Sequence, residues 1–255
     1  RHCRVDHPRI AEAARAIADA ATDLGIPPFD ERTGEGLLRA VWLKTDGTHV
    51  LATLVVRVDD PRLSELVRAV RSVDAFALAI ARPNSNDLRG EDLRMLRGRP
   101  ELVSELAGER LAVGPLGFLQ PNPAIAARAY LDLVSGADGS RARGTLALDL
   151  YAGAGVTTRL LRRSFDEVIP CESYPESARA LGVEPTTAER FLRAFLARDP
   201  RRVPELVVAN PPRAGLGEQV CSLLLDLAPP SIAMMSCHPA TLSRDVERLS
   251  ANGRY

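Results

Sequence analysis

The stretch Thr145-Leu-Ala-Leu-Asp149-Leu-Tyr151-Ala-Gly153-Ala-Gly155-Val-Thr-Thr158 decides the reading of this 255-residue chain. A short apolar run ends in a Gly-x-Gly turn and passes into helical spacing, which predicts a strand, a tight loop and a helix. Glycines in such a loop let backbone amides approach a ligand at the helix N-terminus. The third glycine of the dinucleotide fingerprint is replaced by Thr158, which weighs against a nicotinamide dinucleotide. Glu172 ends the next predicted strand, 17 residues after Gly155, where an acidic side chain can bind ribose hydroxyls. Asp149 beside Gly-x-Gly suits a nucleoside without pyrophosphate, such as S-adenosylmethionine. The plainer alternative is a structural turn and a solvated Glu.

Outward from this stretch the pattern alternates. Strands are predicted at 145–151, 167–172, 205–209 and 231–236. Helices are predicted after Gly155, from Pro175, around 188–197, at 217–227 and from Pro239 to about Leu249. Alternation at this length implies a mostly parallel sheet wound by helices, an α/β fold. Upstream, a helix is predicted from Pro8 to about Leu24, then a hairpin of strands at 37–43 and 50–58 turning at Asp46-Gly47. A helix follows from Pro61 to about Val73, with Pro61 at its first position, then a strand at 75–80. Residues 83–108 read as charged and rich in turn formers. The expected organisation is a small α+β domain over 1–119 and the α/β domain over 120–255.

Lys plus Arg and Asp plus Glu are 33 each, so the net charge is zero. That balance supplies no global field for gripping nucleic acid but leaves a local basic groove open. Lys44 is the only lysine. A 45% hydrophobic share supports a real core and excludes disordered, collagen-like and disulfide-scaffold classes. No run reaches the roughly 18 apolar residues of a membrane span. Cysteines at 3, 171, 221 and 237 are too scattered for a CxxC site. They fit a reducing compartment, with cytoplasm as the expectation. The opening Arg1-His2-Cys3, without Met or a signal-peptide pattern, reads as that of a fragment or processed product.

Ligands of open α/β sheets bind outside the carboxyl ends of the strands. The predicted strands end in Asp149 and Tyr151, Glu172, Asn210 and Cys237, which converge on one crevice if the strands are parallel neighbours. The prolines of Asn210-Pro-Pro-Arg213 stiffen a loop that aims the Asn amide; an ordinary turn Asn is the alternative. Cys237 lies just before a helix starting at Pro239, a place that lowers a thiol pKa and suits a nucleophile. Cys171 and Cys221 read as small buried hydrophobes, and His238 as a capping or surface residue.

These residues carry a resemblance. The chain resembles the RNA uracil-5 (5-methyluridine) methyltransferases that use S-adenosylmethionine. The matching segments are Phe118-Leu-Gln120-Pro-Asn122, Asp149-Leu-Tyr-Ala-Gly-Ala-Gly155, Pro211-Pro-Arg-Ala-Gly215 and Ser236-Cys-His-Pro-Ala-Thr-Leu-Ser-Arg-Asp245, with weaker matches at Gly36-Leu-Leu-Arg39 and Asn84-Ser-Asn86. The resemblance implies a Rossmann-like class I methyltransferase domain preceded by the α+β domain. It also implies an activity. The Cys237 thiolate adds to C6 of a uridine, C5 takes the methyl group, a base removes the C5 proton and the thiolate leaves. Covalent activation is needed because uracil C5 is by itself a poor nucleophile. Gln120, Tyr151, Glu172 and Asn210 would line the donor or substrate site, no metal is implied in this chain, and the target base would be extruded or single-stranded.

Several positions depart from the family pattern. Asn210 stands where Asp is usual, His238 where Asn is common, and Thr187 near a place where an acidic residue contacts the donor. The family's general base is a Glu well beyond the nucleophile, whereas this sequence ends 18 residues after Cys237; the base is expected outside it. Cys3 resembles the last ligand of the iron–sulfur cluster found in many ribosomal-RNA members, so a 4Fe-4S cluster is expected only in a longer chain, and 23S rRNA is favoured over tRNA as substrate. A monomer is expected. The alternatives are a tRNA uracil-5 methyltransferase, a degenerate non-catalytic RNA-binding relative, an amino-group methyltransferase, disfavoured by Arg213, and an NAD-linked oxidoreductase, disfavoured by Thr158.

Overall fold

A computed structural model describes residues 7–82, 88–118, 120, 122–135, 139–251, 253 and 255. Cys3 and Asn84-Ser-Asn86 lie outside the described residues, as do Leu119 and Pro121 beside Gln120. The chain divides into two compact units, Arg1–Glu105 with Arg110–Asn122, and Leu106–Glu109 with Pro123–Tyr255.

In the first unit, α1 (Pro8–Asp23) is followed by β1 (Leu38–Thr45), β2 (Val50–Val56), α2 (Arg62–Ala69), β3 (Ala75–Ile80) and β4 (Glu91–Arg97). The sheet order is β1-β2-β3-β4. β1 and β2 form the expected antiparallel hairpin; β2 and β3 are parallel across α2. Asp46 Oδ1 holds the turn by accepting from the Thr48 and His49 amides at 2.8 and 2.7 Å. Both helices bury their apolar sides on one sheet face, bringing Ala13 and Ile17 together with Leu63, Leu66, Val50 and Leu54. Near the turn end of the hairpin, Lys44 is only 7% exposed. Its ammonium and the Thr53 hydroxyl both donate to the Pro115 carbonyl.

Two expectations for this unit are corrected. α2 ends at Ala69, not near Val73, and Pro61 caps it from outside instead of occupying its first turn. The reason is Arg97 on β4, whose guanidinium donates to the carbonyls of Val67, Val70 and Val73 and so supplies the partners a helix end otherwise lacks. The charged stretch after residue 83 holds β4 and β5 (Leu102–Leu106), and β5 pairs with β6 (Glu109–Val113). β4 is an edge strand with its first four residues exposed. Its charges are those of a guarded edge, not of a turn.

The second unit contains α3 (Pro123–Leu133), β7 (Gly144–Leu150), α4 (Val156–Leu161), β8 (Phe165–Cys171), α5 (Pro175–Leu181), α6 (Ala188–Arg198), β9 (Leu206–Ala209), α7 (Gly217–Leu227), β10 (Ser231–Met234) and α8 (Pro239–Ser250). The four strands are all parallel in the order β10-β9-β7-β8. This is the wound parallel sheet that the alternating pattern predicts. Strand residues Leu146, Leu148, Leu150, Val207 and Ala209 pack with α6, α7 and α8 on one face. Asp149, of opposite parity, meets α4 on the other. β8 lies on one side of β7 and β9 on the other, so the order reverses at β7. The crevice beyond the carboxyl ends of β7 and β9 is therefore the topological switch point.

Candidate active site

The loop after β7 is built by three devices. Tyr151 takes a left-handed conformation, φ 60°, which costs a non-glycine residue about 1 kcal/mol. The turn lets the Ala152 amide reach the Cys171 carbonyl at 3.0 Å, tying the loop to the end of β8. Gly155, φ 80°, starts α4; a Cβ there would lie 2.5 Å from Leu181 Cδ2, so a larger residue is strained by its φ and must also displace the Leu181 side chain. Gly153 differs. A Cβ on it would meet nothing nearer than the Tyr151 carbonyl at 4.0 Å, so its outer face is open to a ligand.

Asp149 is 1% exposed and accepts from the hydroxyls of Thr157 and Thr158 at 2.6 and 2.5 Å. Its carboxylate fastens β7 to the first turn of α4 and does not face a ligand. Thr158, at the third fingerprint position, thus has a structural role. Burial pushes the Asp149 carboxyl up to about 6, against the opposing hydrogen bonds. The unfolded chain therefore loses this proton first as pH rises from about 4 to about 6, and stability falls across that window by about 3 kcal/mol. Asp149→Asn cannot ionise. Its stability relative to wild type is expected to rise between pH 4 and pH 7 in denaturation series; parallel pH profiles would contradict this.

Glu172, 9% exposed, accepts from the Gly153 amide at 2.8 Å through Oε2 and from the Tyr174 amide at 2.6 Å through Oε1. It joins the glycine loop to the turn after β8. The Ser173 hydroxyl also approaches Oε1, at 3.5 Å, while Oε2 keeps a second lone pair with capacity for a ligand hydroxyl. Beyond it, the Thr186 amide donates to the Glu172 carbonyl at 2.9 Å, running residues 183–187 beside the end of β8. A cleft of about 230 Å³ opens there, with Tyr151, Ser173, Thr186, Thr187, Ala188 and Val220 in its wall. Thr187 caps α6, accepting from the Arg190 amide at 3.3 Å. The acidic side chain on this cleft is Glu189, two residues later. Sequence reading missed it because it looked for the acid at Thr187; its place in the first turn of α6 was the available signal.

Asn210 follows β9 directly, half-buried, its backbone N–H donating to the Leu150 carbonyl at 3.4 Å. Neither Asn210 nor Glu172 nor Cys237 lines the 230 Å³ cleft; of the residues named from sequence, Tyr151 does. Gln120 is half-buried and belongs to the first unit.

Cys237 is exposed in the turn between β10 and α8. His238 caps α8, its Nδ1 accepting from the Thr241 amide at 3.3 Å. The other described thiols are buried, and burial pushes Cys171 up to about 12 and Cys221 up to about 11. Both stay protonated near neutrality, so Cys237 is the accessible thiol among the described residues. Burial also raises the Tyr151 phenol to about 12, which keeps it a neutral donor. No group of three His, Cys, Asp or Glu suited to a metal occurs among the described residues. Among those residues no helix is long and apolar enough to cross a membrane.

No protein-family model matches the chain. It is 28% identical over 262 aligned positions to a protein named uncharacterized RNA methyltransferase from Bacteroides thetaiotaomicron, covering 94% of this chain and 56% of that one. A protein of the same name from Porphyromonas gingivalis is 29% identical over 250 positions, 90% of this chain and 52% of that one. The chain thus spans about half the length of these relatives. Among solved structures, the tRNA (uracil-54, C5)-methyltransferase of Pyrococcus abyssi, in complex with S-adenosyl-L-homocysteine, superposes with a TM-score of 0.64 at 21% identity, covering 93% of this chain and 60% of that one. The fold is that of the Rossmann-like class I methyltransferases with a small α+β unit before it, and the chain is similar in sequence to proteins named RNA methyltransferases.

Proposed function

We propose that the protein transfers a methyl group from S-adenosylmethionine to C5 of a uridine in RNA, with Cys237 as the nucleophile. The observation that carries this reading is the position of Cys237. It is an exposed thiol beyond the carboxyl end of β10, whose neighbour β9 is followed directly by Asn210. The bound donor supplies an electrophilic methyl group. This chain's own residues supply the activation step: Cys237 Sγ adds to uridine C6 and makes C5 nucleophilic, while Asn210 offers an amide at the crevice. The open face of Gly153, the spare lone pair on Glu172 Oε2 and the cleft beside Tyr151 fit an adenosyl group. Asn210 in place of Asp keeps an acceptor without the charge.

Methylation at C5 expels the hydrogen there as a proton. RNA labelled with tritium at uridine C5, incubated with the full-length protein and donor, is expected to release one tritium per methyl group gained. Methylation without release would place the methyl elsewhere, and an absence of both would leave a non-catalytic RNA-binding role. Transcripts of 23S rRNA and of tRNA serve as the competing substrates. The resemblance at Cys3 favours rRNA; the tRNA alternative is favoured by the likeness to a tRNA methyltransferase. We place the protein in the cytoplasm as a monomer on the same reading. Glu172→Gln leaves one of the two backbone amides without its acceptor, so affinity for S-adenosylhomocysteine is expected to fall about tenfold by calorimetry; unchanged affinity would remove Glu172 from the donor site.

A further inference from the structure

The loop after β9 and the start of α8 are joined by a set of contacts that the chemistry above does not use. The Thr241 hydroxyl reaches the Arg213 carbonyl at 3.2 Å and the His238 carbonyl at 3.0 Å. Arg244 Nη2 donates to the Ala214 carbonyl at 2.7 Å. Asp245, fully buried, accepts from the Leu216 amide at 2.7 Å through Oδ2 and from Arg244 at 3.0 Å through Oδ1. Leu216 caps α7 without a side-chain acceptor of its own, so the Asp245 carboxylate serves a donor at that helix start that its own helix leaves open. Gly215, φ 80°, lies so close that a Cβ there would sit 2.2 Å from Asp245 Oδ2. Four consecutive residues after β9, from Arg213 to Leu216, are therefore held or closely approached by side chains from the first two turns of α8, the helix that follows Cys237.

We propose that Thr241 is a positioning residue for the Cys237 thiol. Its single hydroxyl proton is shared between the carbonyl of His238, the capping residue beside Cys237, and that of Arg213 in the loop that carries Asn210, with Asp245 as the buried anchor of the same clamp. The thiol and the Asn210 amide then move as one body. Thr241 does not line the cleft beside Tyr151, so its substitution is expected to leave donor binding unchanged. The proposal rests on Cys237 acting as nucleophile.

The test is the rate at which the full-length protein, with donor, forms a covalent adduct with RNA carrying 5-fluorouridine. Thr241→Val keeps the shape and removes the hydroxyl. At saturating RNA its maximal adduct rate is expected to fall about tenfold or more, since small misplacements of a reacting group carry effects of that size. The RNA concentration for half-maximal rate and the affinity for S-adenosylhomocysteine stay within about twofold of wild type. Thr241→Ser, which restores the hydroxyl, is expected to recover most of the rate. A wild-type rate in Thr241→Val, or a Ser variant as slow as Val, overturns the proposal. A wild-type protein that forms no adduct overturns the reading of Cys237, and the proposal with it.

Discussion

Cys237→Ala in the full-length protein is expected to form no covalent complex with 5-fluorouridine RNA and to lose methylation by at least about a thousandfold. Removing the nucleophile from a covalent mechanism carries losses of that order or greater. The chemistry sets the sign. After the thiolate has added to C6 and C5 has received its methyl group, fluorine cannot leave as a proton does, so the thiolate stays bound and the complex survives denaturation. The other described cysteines do not substitute, because Cys171 and Cys221 are each 1% exposed and their thiols are held protonated by burial. Gel-shifted adduct in the wild type and none in the variant is the expected pair of results. An adduct that persists in Cys237→Ala would move the nucleophile elsewhere.

The second large effect concerns stability. Asp245→Ala strips the Leu216 amide of its acceptor and leaves Arg244 and Arg248 without their shared carboxylate. Both guanidinium groups are partly exposed, 42% and 35%, and rehydrate on their own, which moderates the loss to about 3 kcal/mol. Gly215→Ala acts on the same place from the other side. It adds left-handed strain of about 1 kcal/mol and drives a Cβ into Asp245 Oδ2, for a total of about 2–4 kcal/mol. The two changes are coupled. With Ala at 245 the nearest obstructing oxygen is gone and Arg244 Nη2, next at 2.8 Å, is freed to swing away, so Gly215→Ala in that background is expected to cost little beyond its backbone strain. A double-mutant cycle in urea should show a coupling of at least about 1 kcal/mol. Additivity within about 0.5 kcal/mol would mean that the close approach is relieved by a small loop shift.

Most of the second unit was legible in the sequence because its strands are short apolar runs bounded by Gly, Pro or a polar residue. β7, β9 and β10 fall within one or two residues of expectation for that reason. The first unit was less legible where contacts distant in sequence decide the outcome. The apolar run through Val70 and Val73 reads as helix until Arg97, far along the chain, collects its carbonyls. β4 has exposed charges because it is an edge, and local composition cannot separate an edge strand from a loop. The site shows a similar limit. A carboxylate after a strand beside a glycine loop reads alike whether it meets ribose or backbone amides, and Asp149 and Glu172 both bind the protein's own donors. The recognisable Ser-Cys-x-Pro-x-Thr-Leu-x-Arg-Asp frame named the thiol, whereas the work of its Thr, Arg and Asp in holding the preceding loop emerged only from the fold.

Because the single lysine is folded away against the Pro115 carbonyl, every other cationic side chain that keeps its charge above neutrality is an arginine. Guanidinium groups hold their protons far into the alkaline range, so electrostatic attraction for a polyanion should persist there, when lysine-based surfaces would be fading. Amine-directed reagents meet one side chain in the whole sequence, and it becomes reactive only when β1 and β2 part from Pro115. The labelling rate of Lys44 is thus a built-in clock for the opening of the first unit, readable while the second goes about its chemistry.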